Sequence, residues 1–180
     1  MKNHYEINTK NLIACIIGGE NNHYNFSKEN TLDLCERIKK IKRYNKNKEI
    51  LVITSRRTNQ EIKQILKKEL NSVSTLWFGK GENPYEFALY NSCYFIITSD
   101  STSMISEASI SGKPIYVYQL PMKRKSKRFI RFHEEFKKMN ITRDLNNLDK
   151  LENWTYTKLE ESKRIAGIIK KRIIERKNES

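Results

Sequence analysis

The stretch CYFIITSDSTSMISEASISGKPIYVY, Cys93 to Tyr118, decides the fold that we predict for this chain. It reads as an apolar run, a polar turn, a short amphipathic helix, Gly-Lys-Pro and a second apolar run, which is typical of a strand–helix–strand unit of a parallel sheet. The first run, Tyr94 to Thr98, is continuously apolar, so we expect both of its faces to be covered. Gly112 is expected to end the helix and Pro114 to begin the next strand, Ile115 to Tyr118.

The start of this predicted helix, where Asp100, Ser101, Thr102 and Ser103 follow one another, has the features of an anion site. Free backbone N–H groups, hydroxyls and the positive end of the helix dipole favour a negatively charged ligand. Glu107 lies one turn beyond Ser103 on the same helical face, where a carboxylate would suit a sugar hydroxyl. The same residues would also form an ordinary capped helix, with Asp100 or Ser101 as the cap and Glu107 in solvent.

Strands and helices are expected to alternate upstream of this stretch. Apolar runs predict the strands, and apolar residues at helical spacing predict the helices. The strands are expected at Leu12 to Ile17, Glu49 to Thr54 and Val73 to Phe78, and the helices from Ser27, from Glu61 to Leu70 and from Tyr85 to Tyr90. This alternation predicts an α/β fold, a Rossmann-like parallel sheet with helices on both faces, built as a single domain over residues 1–180.

The loops after the predicted strands all emerge at the carboxyl edge of such a sheet, where open α/β folds bind ligands. Gly18 and Gly19 would let the backbone turn sharply and approach a ligand closely, although a glycine pair is also a common turn. Asn83 is expected to cap the following helix, with Pro84 in its first turn. Tyr85 could pack beneath a flat base or take part in the core.

Two adjacent arginines, Arg56 and Arg57, follow the second strand between Ser55 and Thr58. Arginine suits phosphate because its planar fork donates two hydrogen bonds at once. Thr58 is expected to cap the next helix. A solvated, charged loop is the alternative interpretation of the two arginines.

The net charge of +14 on 180 residues admits three kinds of partner: nucleic acid, an anionic membrane surface and anionic small molecules. A basic run, Met122 to Arg131, leads into a helix with Phe129, Phe132 and Phe136 and could bind an acidic surface, or simply be a solvated face. No aromatic-interleaved RNA-binding motif accompanies it, so nucleic acid is not the expected partner.

Beyond the basic run we expect a connection at Leu145 to Leu151 and a terminal amphipathic helix within Trp154 to Arg176. Its apolar face would carry Ile165, Ile168, Ile169 and Ile173.

Cys15, Cys35 and Cys93 are odd in number and widely spaced, with no CxxC pair and no histidine cluster. They are expected to be reduced thiols in apolar surroundings, and no metal site is expected. The N-terminal MKNHYEINTKN is polar and does not resemble a signal peptide, and no segment has the length of a membrane span. We therefore expect a cytoplasmic protein.

Five segments carry a resemblance to a known family. They are IIGGENNHYNFS (Ile16 to Ser27), ITSRRT (Ile53 to Thr58), GENPY (Gly81 to Tyr85), TSDSTSMISEASISGKPIYVY (Thr98 to Tyr118) and WTYTKLEESKRIA (Trp154 to Ala166). With them the chain resembles the mitochondrial-fission ELM family, plant fission factors with many bacterial homologues, whose fold is similar to that of the GT-B glycosyltransferases. The resemblance covers the C-terminal half of such proteins, so the usual N-terminal domain is expected to be absent.

The resemblance implies a nucleotide-sugar site, because the C-terminal domain of GT-B enzymes binds a donor such as a UDP-sugar, with no separate cofactor. By position, Glu107 would hold the ribose, Ser101 to Ser103 would hold the phosphates, and the glycine pair would admit the diphosphate closely. Arg56 or Arg57 would neutralise the diphosphate, a role that these enzymes often give to a positive side chain instead of a metal.

The resemblance also sets limits on catalysis. The acceptor site and catalytic base of GT-B enzymes usually come from the N-terminal domain, so this half alone is not expected to transfer a sugar. His23 is the only histidine in a matching loop and is the candidate base, with a surface histidine as the alternative. The eukaryotic relatives are recruitment factors in membrane fission, so the alternative function is a non-enzymatic adaptor that brings a protein partner to an anionic membrane, peripheral at its inner face.

Overall fold

A computed structural model describes residues 11–145 and 150–158 of the chain, and within them strands and helices alternate as predicted. The strands are β1 (Leu12–Ile17), β2 (Glu49–Thr54), β3 (Thr75–Trp77), β4 (Ser92–Thr98), β5 (Ile115–Tyr118) and β6 (Thr142–Asp144). The helices are α1 (Lys28–Tyr44), α2 (Gln60–Leu70), α3 (Tyr85–Asn91), α4 (Thr102–Ser109) and α5 (Lys127–Lys138).

The strands form one parallel sheet in the order β3-β2-β1-β4-β5-β6. The described part of the chain begins with β1 in the middle of the sheet, builds outward to β3, crosses back to β4 and builds outward again to β6. This is the doubly wound order, and it confirms the predicted Rossmann-like sheet. The strand order reverses between β1 and β4, so the loops after these two strands diverge and leave a crevice at their carboxyl ends.

Helices cover both faces of the sheet, and the residues of β1 alternate between the two apolar cores. One core lies beneath α1 and α2, and the other lies beneath α3, α4 and α5. Ile13, Cys15 and Ile17 belong to the first core, and Leu12, Ala14 and Ile16 belong to the second. Because β1 is buried on both faces, its sequence is apolar throughout instead of alternating.

The predicted bounds hold for three of the strands, and the larger misses lie at the sheet edges, in β3 and β6. The bounds of β1, β2 and β5 are as predicted, β4 begins two residues early, and β3 is only three residues long. The strand β6 was missed, because Thr-Arg-Asp at a sheet edge gives no apolar signal. The predicted terminal helix lies outside the described residues, except for its first five residues, which are irregular.

The helix caps differ in part from the prediction. Ser27, where the helical pattern was predicted to start, is the cap residue of α1. Asn59, not Thr58, caps α2: the Asn59 side chain accepts a hydrogen bond from Ile62 N at 2.9 Å. The prediction for Thr58 was wrong because its hydroxyl contacts the carbonyl oxygen of Ile17 at 3.3 Å instead.

The starts of α3 and α4 are also capped differently from the prediction. Pro84 is the cap residue of α3, and the Asn83 side chain accepts from Tyr85 N at 3.0 Å. Ser101 is the cap residue of α4, but neither its side chain nor that of Asp100 caps the helix. Both side chains bind other groups instead.

Cys15 and Cys35 are buried free thiols, as predicted, whereas Cys93 is only half-buried. Burial raises the pKa of Cys35 to about 12 and raises that of Cys15 further. Across residues 11–145 and 150–158, no helix has the length and apolar content needed to cross a membrane.

Candidate functional site

The loops after β1 and β4 meet at the crevice where the strand order reverses. Gly18 N donates a hydrogen bond to Thr98 Oγ1 at 2.8 Å, and Gly19 N donates to Asp100 Oδ2 at 3.0 Å. The prediction that the loops after different strands lie together at the carboxyl edge is confirmed for these two.

Asp100 lies at the centre of this contact, and its side chain has no solvent exposure. Besides the Gly19 amide, it accepts a hydrogen bond from Thr98 Oγ1 at 2.6 Å and pairs with Arg57 Nη2 at 2.8 Å. A buried carboxylate is tolerated only when it is paired and hydrogen-bonded. These three partners meet that requirement.

Arg57 joins the loop after β2 to the same cluster, and its side chain remains 41% exposed. Its Nη2 also donates to Ser101 Oγ at 3.2 Å. A guanidinium has five N–H donors, and the contacts within the described residues use only Nη2, so the donors on Nη1 and Nε remain for a ligand. Arg56 is exposed and makes no such contact in the described part of the chain. The structure thus distinguishes two arginines that the sequence left equivalent.

Ser55 and Thr58 fix the position of Arg57. Ser55 Oγ accepts from Arg57 N at 3.1 Å, and Thr58 Oγ1 accepts from Ser55 N at 3.1 Å. The Thr58 hydroxyl also donates to the carbonyl oxygen of Gly18. These bonds tie the β2 loop to the β1 loop and hold Arg57 at the mouth of the crevice.

Gly18 and Gly19 have no side chains at places where other parts of the protein approach the backbone closely. A Cβ atom on Gly18 would lie 2.1 Å from Asp100 Oδ2, and one on Gly19 would lie 2.3 Å from the carbonyl oxygen of Arg57. From the sequence, we expected a ligand diphosphate to approach the backbone closely at these glycines. In the structure the Asp100 carboxylate and the Arg57 backbone occupy it.

Glu107 and Tyr85 form a second polar group, between α4 and α3. Tyr85 Oη donates to Glu107 Oε2 at 2.6 Å, and Glu107 is exposed. Burial, and then the Glu107 carboxylate, raise the pKa of Tyr85 well above its ordinary value. Among the described residues Glu107 hydrogen-bonds Tyr85 and not the glycine pair, which differs from the predicted convergence of every loop on one point.

A cavity of about 300 Å³ adjoins the first turn of α4. Thr102, Ser103 and Ser106 line one side of it, and Arg128, Phe129 and Phe132 of α5 line the other. The sequence placed Arg128 only within the basic run and gave no sign of its position beside the helix start. Elsewhere in that run Lys123 pairs with Glu20 and Arg131 with Glu135, so part of its charge is neutralised internally.

His23 and His133 both lie near this edge of the sheet. The ring of His23, the candidate base, packs against Phe129 at 5.0 Å between centroids. His133 is buried on α5, and its Nε2 lies 2.9 Å from the carbonyl oxygen of Ser99, next to Asp100. His133 was not predicted as a site residue, because a single histidine among helical phenylalanines carries no signal.

His133 should make stability depend on pH. Burial lowers its pKa below the ordinary 6.5, which outweighs the opposing effect of the Ser99 hydrogen bond. Below pH 6.5 the unfolded chain therefore binds a proton that the folded chain does not, and stability falls as the pH falls, by at most about 1.4 kcal/mol per pH unit. We expect urea unfolding at pH 7.5 and 5.5 to show a smaller difference for His133→Gln than for the wild type. Equal differences in the two proteins would contradict the assignment of this pH dependence to His133.

The described residues contain no group of three or more His, Cys, Asp or Glu side chains that could hold a metal ion. Positive charge at this edge of the sheet comes from arginine side chains and the start of α4.

Comparison with known proteins gives the family. The family described as "Mitochondrial fission ELM1" matches residues 1–173. The chain belongs to the mitochondrial fission ELM1 family. This confirms the family resemblance found in the sequence motifs.

Two relatives show how much of an ELM1-family protein this chain spans. It is 34% identical over 175 residues to the uncharacterized protein RP120 of Rickettsia prowazekii (strain Madrid E), covering 94% of this chain and 49% of that protein. It is 27% identical over 130 residues to the mitochondrial fission protein ELM1 of Arabidopsis thaliana, covering 71% of this chain and 30% of that protein. The chain therefore spans half or less of the length of these relatives.

Among solved structures, MAR1 ribonuclease from Caenorhabditis elegans aligns with a TM-score of 0.43 and 14% identity over 74% of each chain. A similarity at this level carries no inference about function.

Proposed function

We propose that this ELM1-family chain binds the nucleoside diphosphate part of a nucleotide sugar at the carboxyl edge of its sheet. It would act as the donor domain of a GT-B-like, metal-independent glycosyltransferase-related protein. The proposal rests on the position of Arg57. Asp100 and Ser101 hold its guanidinium at the mouth of the β1/β4 crevice, and N–H donors of the guanidinium remain for a ligand. Ligands of doubly wound sheets bind at this position.

The start of α4 supports the site for the diphosphate. Asp100 already accepts the hydrogen bond of the Gly19 amide. The phosphates would therefore lie further along the start of α4, beside the hydroxyls of Thr102 and Ser103. The free N–H groups of the first helical turn attract anions. Arg57 on one side and Arg128 on the other would supply the neutralising charge.

The pair of Glu107 and Tyr85 supports the ribose contact. An ionised carboxylate accepts up to about four hydrogen bonds, and the bond from Tyr85 uses one of them. The exposed Glu107 carboxylate keeps acceptor capacity for the two ribose hydroxyls, and the tyrosine fixes its direction. The cavity of about 300 Å³ beside α4, which is lined by Ser103 and Arg128 but not by Glu107, is at the lower end of the usual size for a small-molecule site and would take the phosphates.

The chemistry of the complete protein would be displacement at the anomeric carbon of the sugar. Arg57, Arg128 and the start of α4 would stabilise the charge that develops on the leaving diphosphate. His23 packs against Phe129. In the described residues it contacts neither of the two arginines nor the start of α4, so we assign it no role. The acceptor and the base would come from the part of the longer relatives that this chain does not span. The adaptor hypothesis remains a prediction.

The test is titration calorimetry with UDP, GDP and ADP, together with melting temperatures. We expect one of these nucleotides to bind and to raise the melting temperature, since a ligand at 100 times its Kd stabilises by about 2.7 kcal/mol. Arg57→Ala should weaken binding at least tenfold, because the diphosphate loses its guanidinium partner. Glu107→Ala should weaken it similarly, because the ribose hydroxyls lose the carboxylate that accepts their hydrogen bonds.

Arg56→Ala is the matched control, because it removes a neighbouring guanidinium that has no contact in the described residues. It should leave the affinity within about twofold of the wild type. Absence of binding for all three nucleotides at millimolar concentration, or equal loss in Arg57→Ala and Arg56→Ala, would contradict the proposal.

A further inference from the structure

Exposed apolar side chains collect at the amino edge of the sheet, opposite the candidate site. In a parallel sheet each connecting helix runs back across the strands, so it ends at the edge where the next strand begins. Tyr44 ends α1, Tyr90 lies in the last turn of α3, and Ile110 and Met139 directly follow α4 and α5. Leu32, near the start of α1, is the one other exposed large apolar residue of the described chain.

Three of these side chains form a row on one face of the sheet. There α3 contacts β1, α4 contacts β4 and β5, and α5 contacts β6. The helix ends therefore follow one another along the amino edge, with Ile110 between Tyr90 and Met139. Tyr90 is 81% exposed and Ile110 is 61% exposed in the described part of the chain. Apolar side chains exposed together are typical of a surface that another segment or protein covers.

The described chain ends beside this row. Tyr156 Oη donates to the carbonyl oxygen of Lys113 at 2.8 Å, which brings the chain to the loop between α4 and β5. Lys158 then lies against Gly112: a Cβ atom on this glycine would be 2.6 Å from Lys158 Cε. Gly112 follows Ile110 by two residues, so the residues after Lys158 begin next to the exposed Ile110 side chain.

The residues that follow have a matching apolar pattern. We call residues 159–176, which lie outside the described part of the chain, the isoleucine segment. Its sequence predicts an amphipathic helix with Ile165, Ile168, Ile169 and Ile173 on one face. Eighteen helical residues are about 27 Å long, and these isoleucines span about 12 Å of that length. Such a face is stable in water only when another apolar surface covers it.

The amino edge offers different lengths of support in its two directions. Neighbouring strands lie about 4.8 Å apart, and α4 contacts both β4 and β5. From α4 the sheet therefore extends about 7 Å toward β6 and about 17 Å toward β3. A helix of about 27 Å is supported over most of its length only in the direction of β3, which is the side of Tyr90.

Charge favours the same direction. The C-terminal end of a helix carries partial negative charge on its free carbonyl groups, and basic residues in the last turn usually offset it. The helices α1, α2 and α5 have such residues, whereas α3 and α4 have none. The isoleucine segment is rich in basic residues, namely Lys163, Arg164, Lys170, Lys171, Arg172 and Arg176.

We propose that the isoleucine segment docks its apolar face along the amino edge, against Ile110 and Tyr90, and places its basic residues at the ends of α3 and α4. The inference is independent of the proposed function, because it concerns the edge of the sheet opposite the crevice. It assigns one occupant, a segment of this chain, to the exposed row.

A nitroxide label on the isoleucine segment tests the docking in the full chain. Lys171→Cys would carry the label about 20 Å beyond Lys158 along a helix, past the end of α3. Cys93→Ser removes the half-buried thiol and keeps a donor for the carbonyl oxygen of Leu12. We expect the label to weaken the amide signal of Tyr90 roughly twofold or more.

Met139 is the matched control in this experiment, since it is also an exposed apolar residue at a helix end of the same edge. Its amide signal should keep its intensity. Unchanged signals at both residues, or weakening at Met139 and not at Tyr90, would overturn the proposal. Weakening that appears in a mixture of labelled chain and unlabelled, isotope-enriched chain would show that a second copy covers the row, which would also overturn it.

Breaking the isoleucine face gives a second test. Ile168→Asp/Ile169→Asp should release the segment, uncover the row and raise the fluorescence of an apolar dye such as anilinonaphthalene sulfonate roughly threefold or more. Lys170→Asp/Lys171→Asp makes the same change in the same segment outside the isoleucine face and should leave the dye signal near that of the wild type. Equal dye fluorescence in the two variants would contradict the docking.

Discussion

Asp100→Ala is expected to lower the free energy of unfolding by about 3 kcal/mol, because it leaves two buried donors, Gly19 N–H and the Thr98 hydroxyl, without an acceptor. It also removes the counterion of Arg57. The guanidinium is partly exposed and regains some hydration, so the unsatisfied donors supply most of the loss. Asp100→Asn keeps a side-chain oxygen and should cost about half as much. Urea unfolding at neutral pH measures both.

Asp144→Ala is the matched control for this change. Its carboxylate also has two partners, Lys137 at 2.5 Å and Gln119 at 2.8 Å, but it is 27% exposed at the sheet edge. It should cost about 1 kcal/mol or less. Equal losses in Asp100→Ala and Asp144→Ala would show that the buried carboxylate does not organise the crevice.

Gly19→Ala is expected to cost about 3 kcal/mol. The added Cβ would lie 2.3 Å from Arg57 O and 2.8 Å from Thr58 N, and both are backbone atoms that cannot rotate away. The β1 and β2 loops would have to separate, which would stretch the bonds that position Arg57. Overpacking of this kind costs about 1–3 kcal/mol and occasionally more. Unfolding free energies of the variant and the wild type measure the loss.

Gly81→Ala provides the comparison for Gly19→Ala, since it makes the same chemical change in open space. Gly81 has a φ of +77°, and no described atom lies within 4 Å of the place that an added Cβ would take, so only the left-handed backbone conformation resists the alanine. That should cost about 1–2 kcal/mol. A loss in Gly19→Ala no greater than in Gly81→Ala would contradict the close approach of the two loops.

Much of the fold follows from the sequence, because burial on both faces forces long apolar runs. The runs at β1, β2 and β5 gave their bounds directly, and the alternation with helices gave the parallel sheet. The strand β6 could not be predicted, since an edge strand of Thr-Arg-Asp is held by pairing with β5 and not by its own composition.

The meeting of the loops that form the candidate site was also predictable, because the topology brings the loops after parallel strands to one edge. The pairing within the site was not. Asp100 looked like a helix cap and is instead the buried partner of Arg57 and Gly19. Neither the choice of Arg57 over Arg56 nor the approach of Arg128 to α4 can be inferred from the chain order, because both depend on how loops pack in three dimensions.

The most direct test of the nucleotide site is an amide NMR titration of the chain with UDP, GDP and ADP. We expect one of them to shift the amide signals of Arg57, Thr102, Ser103 and Glu107 together, along one saturating curve, and to leave those of the α1 C-terminus unmoved. A titration in which these four signals stay in place with every nucleotide, or in which shifts spread evenly over exposed basic residues, would contradict it.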